Sequence, residues 1–168
     1  MALTFSGLYA SHLTMNKIYQ TKEQVIQKVK QYCNYQERCH AEVREKLYLF
    51  GLNIKDVEQV LSQLIQENYL NEERFAIQYA GGKFRIKQWG RVKIKYALKQ
   101  KQVGEYSIKK ALKEINEGDY INTLNKLADY KRKALKSEKN IFIRRKKLFD
   151  YLLQKGYERE LIAEVLTI

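Results

Sequence analysis

The chain repeats itself, and this constrains its fold more than any local motif does. Val43, Leu47 and Leu52 recur 51 residues on as Ile94, Leu98 and Val103. Val57, Val60, Leu61 and Leu64 recur at the same offset as Ile108, Ala111, Leu112 and Ile115. A further 54 residues on, the first set becomes Leu148, Leu152 and Tyr157, and the second becomes Ile162, Val165 and Leu166. Gly51 recurs as Gly156, with Gln102 at the middle position. Chance agreement at one apolar position is common, but agreement across two helices and the turn between them is not. Between the copies, Tyr69-Leu70-Asn71 returns as Tyr120-Ile121-Asn122, and Tyr79 as Tyr130. This predicts a helix end, a turn and a helix start at both places, with these tyrosines packed inside.

Local signals agree on helix. Val57, Val60, Leu61 and Leu64 stand at i, i+3, i+4 and i+7, one face of an amphipathic helix. Thr21, Asn53 and Asn71 are placed to cap helix starts, and Glu72 and Glu73 suit the positive end of the helix that follows. Phe75, Ala76 and Tyr79 are expected to face inward. Asn34 is a candidate helix stop, and Gly51 stands where a left-handed cap belongs. The chain has no proline, so no built-in breaker interrupts the helices. The expected fold is all-α: three tandem three-helix repeats, about nine helices near the usual length of about 12 residues. Units so small stack on their neighbours, here into an elongated, curved, solenoid-like body. The expected division is an N-terminal tail (1–20), a first repeat with a leading helix (21–86), a basic second repeat (87–137), and a truncated third repeat with a basic start (138–168).

Charge is segregated along the chain. The net charge is +13, a field that attracts polyanions: nucleic acid first, an anionic membrane surface second. Lys83 to Lys101, KFRIKQWGRVKIKYALKQK, holds eight basic residues and no acid. Lys131 to Lys147 holds nine basic residues and one acid, Glu138, whereas Glu37 to Glu73 holds eight acids against four bases. The candidate phosphate-binding residues are Lys83, Arg85, Lys87, Arg91, Lys93, Lys95, Lys99 and Lys101, with Arg144, Arg145, Lys146 and Lys147 in the third unit. Arg91, Lys95 and Lys99 fall at i, i+4 and i+8, along one helix edge. Such rows release counterions from phosphates and give salt-sensitive binding. The plain alternative is a lysine run that only solvates a helix face. No residue suggests readout of base edges, so single- and double-stranded DNA are expected partners without strong sequence preference. Trp89, Phe84 and Tyr96 can stack on bases, although an aromatic at a helix junction more often packs in a core.

Motifs for chemistry are missing. Gly81-Gly82 is too weak a signal for a phosphate loop. Cys33, Cys39, His12 and His40 match no usual zinc spacing, and no metal or cofactor is expected. No recognisable nucleophile signature or isolated carboxylate pair occurs, so an enzyme is not expected. No stretch approaches the roughly 20 apolar residues of a membrane span, and no signal peptide is recognisable, so a cytoplasmic protein is expected.

Three stretches resemble the RecX family, regulators of the bacterial recombinase RecA. They are Arg38 through Leu47 (RCHAEVREKL), Tyr69-Leu70-Asn71-Glu72-Glu73-Arg74-Phe75-Ala76, and Gly90-Arg91-Val92-Lys93-Ile94 followed by Leu98. The middle one is the most specific, with Glu72 where an aspartate is common. The chain departs from the family pattern at Cys39-His40 and at Gln102, where glycine is common. The resemblance covers about residues 25–168. It implies tandem three-helix repeats with no catalytic site. It also implies a protein that binds the RecA–DNA filament, limits its extension or promotes its loss, and so suppresses strand exchange, ATPase and coprotease activity. A monomer is expected. Three other readings of the residues stay open: a DNA-binding transcriptional regulator built from helix-turn-helix-like units, a non-enzymatic helical adaptor, and an enzyme whose substrate the residues do not name.

Overall fold

A computed structural model describes residues 21–167; the expected N-terminal tail lies outside them. Among the described residues nine helices follow one another: α1 (Lys22–Tyr35), α2 (His40–Leu49), α3 (Ile54–Gln66), α4 (Glu72–Lys87), α5 (Arg91–Gln100), α6 (Glu105–Lys113), α7 (Glu117–Ala134), α8 (Ile141–Lys155) and α9 (Arg159–Thr167). No strand occurs among the described residues.

Side chains cap α1, α3 and α4 as their residue types dictate. Thr21 and Gln24 form a reciprocal capping box at α1, Asn53 Oδ1 accepts from the Asp56 amide, and Asn71 Oδ1 accepts from the Arg74 amide. Asn34 does not stop α1, which runs on to Tyr35. The larger departure is at α7. Tyr120-Ile121-Asn122 is no turn: Asn116 caps the helix earlier, its Oδ1 accepting from the Asp119 amide, and Glu117 and Asp119 fill the first turn. Tyr120 is still fully buried, but Tyr130, its expected companion, is 67% exposed.

The repeat is one of packing positions. Val43, Ile94 and Leu148 are buried at one equivalent position, and Leu47, Leu98 and Leu152 at the next. So are Val57, Ile108 and Ile162, and Val60, Ala111 and Val165. The equivalence extends to backbone conformation. Gly51, Gln102 and Gly156 have φ of 86°, 60° and 91°. The left-handed turn survives in the middle unit although the glycine does not.

Two cores lie along the chain. Val25, Val29, Val43, Leu47 and the apolar face of α3 form the first, with Leu70 beneath them. The second runs through α4 to α9, from Phe75 and Ile94 to Leu152 and Val165. Cys39 is the one fully buried residue ahead of α4 that joins it, which stitches the first unit to the second. Lys101 and Glu42 pair across the same seam at 2.6 Å, and Arg74 pairs with Glu37. Within the second unit α4 packs chiefly on α6. A boundary at 86/87 therefore separates α4 from the helices it packs on.

Candidate nucleic-acid interface

The joint between the second and third units is a backbone contact. The Gly90 amide donates to the Lys155 carbonyl at 2.9 Å, and the Val92 amide to the Gly156 carbonyl at 3.1 Å. A methyl group at Gly90 would sit 2.1 Å from the Gly156 oxygen, so only glycine permits this approach. Tyr120 lies across the joint. Its hydroxyl accepts from the Arg91 amide at 2.9 Å and donates to Glu158 Oε2 at 2.6 Å. Its ring packs on Tyr157 and Phe84, with centroids 5.0 and 5.7 Å away. Burial first, then the bond to Glu158, pushes the Tyr120 phenol well above its ordinary pKa and keeps the proton it donates.

This joint absorbs cations that the sequence offers as open. The Arg91 guanidinium stacks 4.1 Å from the Tyr120 ring centroid and reaches Glu117 at 2.6 Å. Burial disfavours its charge, but the bond to Glu117 prevails and raises its pKa. Lys95 and Lys99 both reach Glu105, at 2.7 and 3.3 Å, and hold that carboxyl below its usual range. The supposed edge of Arg91, Lys95 and Lys99 is thus neutralised in part by acids on α6 and α7, which the linear sequence does not place beside it. Lys101 is committed to Glu42, Lys146 to Asp150 and Lys147 to Glu138.

A different cationic row remains, and it crosses the joint. Lys83 Nζ lies 5.0 Å from the Tyr79 centroid and 5.1 Å from that of Trp89. Lys93 covers Trp89 at 4.9 Å and donates to the Gln154 carbonyl in the third unit at 3.0 Å. Lys155 returns the contact, donating to the Lys87 carbonyl at 3.3 Å. Lys155 and Lys131 both flank Tyr151, at 5.9 and 5.1 Å from its centroid. None of Lys83, Arg85, Lys87, Lys93, Lys131 or Lys155 has an ion-pair partner among the described residues. Lysines alternating with half-buried aromatic rings suit a strand whose phosphates and bases both face the protein. Of the three aromatics singled out in sequence, Trp89 lies in this row, Phe84 is buried in the core, and Tyr96 is exposed elsewhere on α5. Tyr151, Lys131 and Lys155 join the row only through folding. Arg144 and Arg145 stand apart, lining a cleft of mixed polar and apolar character between α7, α8 and α9.

The motif residues are structural. Leu47, Leu70, Phe75, Ala76, Ile94 and Leu98 are buried, and Tyr69 packs on the first core. Glu72 accepts from the Ser107 hydroxyl at 2.8 Å and so ties α4 to α6. Among the described residues no cluster of three metal-ligating side chains occurs. Both cysteines are buried and unpaired, and burial pushes the Cys33 thiol up to about 11. No described helix is long and apolar enough to cross a membrane.

Known proteins share this architecture. Residues 71–112 match the model for the second three-helix domain of RecX, and residues 118–166 match that for the third. Each match takes in three successive helices, α4–α6 and α7–α9, and together they cover more than half of the chain. A regulatory protein RecX of Clostridium perfringens strain 13 is 37% identical over 118 residues, 70% of this chain and 55% of that one. Its counterpart in Clostridium tetani is 34% identical over 127 residues, 75% and 58% of the two chains. The chain therefore spans little more than half the length of these relatives. The crystal structure of RecX from Lactobacillus salivarius superposes with a TM-score of 0.78 at 20% identity, over 87% of this chain and 94% of that one. Repeat, joint and matched domains agree: the chain belongs to the RecX family.

Proposed function

We propose that this chain is a negative modulator of the RecA recombinase. It binds the RecA–DNA filament and limits its extension or promotes its disassembly, which lowers strand exchange, ATPase and coprotease activity. Family membership supports the partner. The observation that carries the DNA half is the row from Tyr79 to Lys131, whose lysines have no ion-pair partner among the described residues and are interleaved with rings, crossing from the second unit to the third. Its contacts are ammonium to phosphate and ring to base. Neither reads base edges, so binding without strong sequence preference follows, on single- and double-stranded DNA alike. The chain acts as a binding protein on the filament, not as an enzyme.

ATP hydrolysis by RecA on single-stranded DNA tests this, with the chain added well below the recombinase concentration. Falling hydrolysis at that ratio is the expected result, because one modulator at a growing end affects many subunits. Unchanged hydrolysis, with DNA binding intact, would overturn the reading.

A further inference from the structure

The far end of the third unit carries a second surface of different chemistry. Ile141, Phe142 and Ile143 open α8 and are 56%, 82% and 44% exposed. Beside them lies a cleft of about 390 Å³ floored by Leu135, Leu148 and Leu166. Arg132, Arg144 and Arg145 stand on its walls. Arg132 is held in place by Asp129 and the Val165 carbonyl, while Arg144 and Arg145 have no ion-pair partner among the described residues. Arg145 and Leu166 also line an adjoining cleft that contains Phe142, Phe149 and the ion-paired Lys146 and Asp150, so the two clefts meet at Arg145 and Leu166. Three neighbouring exposed apolar residues are more than the scattered single ones of an ordinary surface.

We propose that this joined pair of clefts docks an acidic, amphipathic segment of a partner protein. Its aliphatic floor accepts Leu- or Ile-like side chains, and its guanidinium walls accept carboxylates, often in bidentate pairs. A nucleic-acid strand would satisfy the arginines but set its sugar-phosphate against the leucines. A second copy of a chain with net charge +13 is opposed by its own field. The surface is also distinct from the lysine row. Lys147, Tyr151 and Gln154 fall at i, i+4 and i+7 on one edge of α8, and Phe142, Arg145 and Phe149 at i, i+3 and i+7 on another. The proposal therefore does not rest on the DNA reading.

Fluorescence anisotropy with the full chain tests it. One probe is a fluorescein-labelled peptide repeating Glu-Leu-Glu-Glu-Leu-Phe, the second is the same peptide with Ser for every Leu and Phe, and the third is labelled oligo-dT. The chain is expected to bind the first peptide about tenfold more tightly than the second. Phe142→Ser, an exposed site that leaves the core intact, is expected to abolish that preference and leave oligo-dT affinity unchanged. Arg144→Glu with Arg145→Glu is expected to lower affinity for the first peptide about tenfold. Equal affinity for both peptides would reduce the site to plain charge attraction and overturn the proposal. So would parallel loss of oligo-dT binding in Phe142→Ser, which would mark a nucleic-acid site. Sedimentation showing self-association that Phe142→Ser abolishes would also overturn it, assigning the cleft to a second copy.

Discussion

Gly90 and Gly156 meet backbone to backbone, and a side chain on either would collide with the other's helix. A Cβ at Gly90 would lie 2.1 Å from the Gly156 oxygen, and one at Gly156 would lie 2.2 Å from Lys93 Cβ. Gly90→Ala is expected to cost at least ~2 kcal/mol, as overpacking against backbone does. Gly82 is the control, because a Cβ there meets nothing within 4 Å inside α4. Gly82→Ala is expected to stabilise by ~0.5–1 kcal/mol. Urea denaturation of both variants separates a joint that demands glycine from a helix that merely contains it.

Tyr120 and Tyr157 are stacked neighbours with opposite prospects. The Tyr120 hydroxyl serves Arg91 and Glu158, whereas the Tyr157 hydroxyl is buried with no hydrogen-bond partner among the described residues. Tyr120→Phe is expected to cost ~1–3 kcal/mol, because it orphans an amide and a carboxylate. Tyr157→Phe is expected to be neutral or slightly stabilising. Equal losses in thermal melts would contradict this assignment of roles.

Gln102 keeps a glycine's backbone at φ of 60°. The left-handed region is strained for a residue with a Cβ. Gln102→Gly is expected to raise stability by ~0.5–1 kcal/mol, since the turn is kept and the steric cost removed. A lower urea midpoint would show that the Gln102 side chain contributes more than its backbone costs.

Much of this was legible in the sequence; one miss is a local competition between caps, and the rest depend on tertiary packing. Spacing and residue type gave most of the buried positions, the left-handed cap at Gly51 and the N-caps at Asn53 and Asn71, because helical periodicity and capping are local. They misplaced the α7 start, where Asn116 competes with the repeat phase and wins by two favourable acids in the first turn. They also listed cations without their partners. Glu105 lies near Lys95 and Lys99, and Glu117 near Arg91, only after α5, α6 and α7 pack. The row through Tyr151, Lys131 and Lys155 is likewise assembled across the joint and has no signature in linear spacing.

Stability should fall in acid. Glu105, Glu117 and Glu138 are held below the ordinary value of 4.5 by hydrogen bonds from Lys95, Arg91 and Lys147. Lowered carboxyls add stability that is present above pH 4.5 and lost as pH drops through their folded values. The urea midpoint is expected to stay level from neutral pH to about 5, then decline. Glu105→Gln is expected to shrink that decline, and an unchanged pH profile in this variant would contradict it.

The row and the paired lysines make a direct contrast in DNA binding. Replacing Lys83, Lys93, Lys131 and Lys155 by Ala is expected to weaken oligo-dT binding and flatten its salt dependence by about 0.7 in log–log slope per lost phosphate contact. Replacing Lys95 and Lys99, already committed to Glu105, is expected to change the slope much less. Titrations over a range of salt concentrations compare the two.

The most direct test of the account is the length of RecA filaments on long single-stranded DNA, imaged by electron microscopy with this chain present below the recombinase concentration. Short or sparse filaments are expected with the native chain and near full-length ones with the four-lysine variant. Full-length filaments with the native chain would contradict the account.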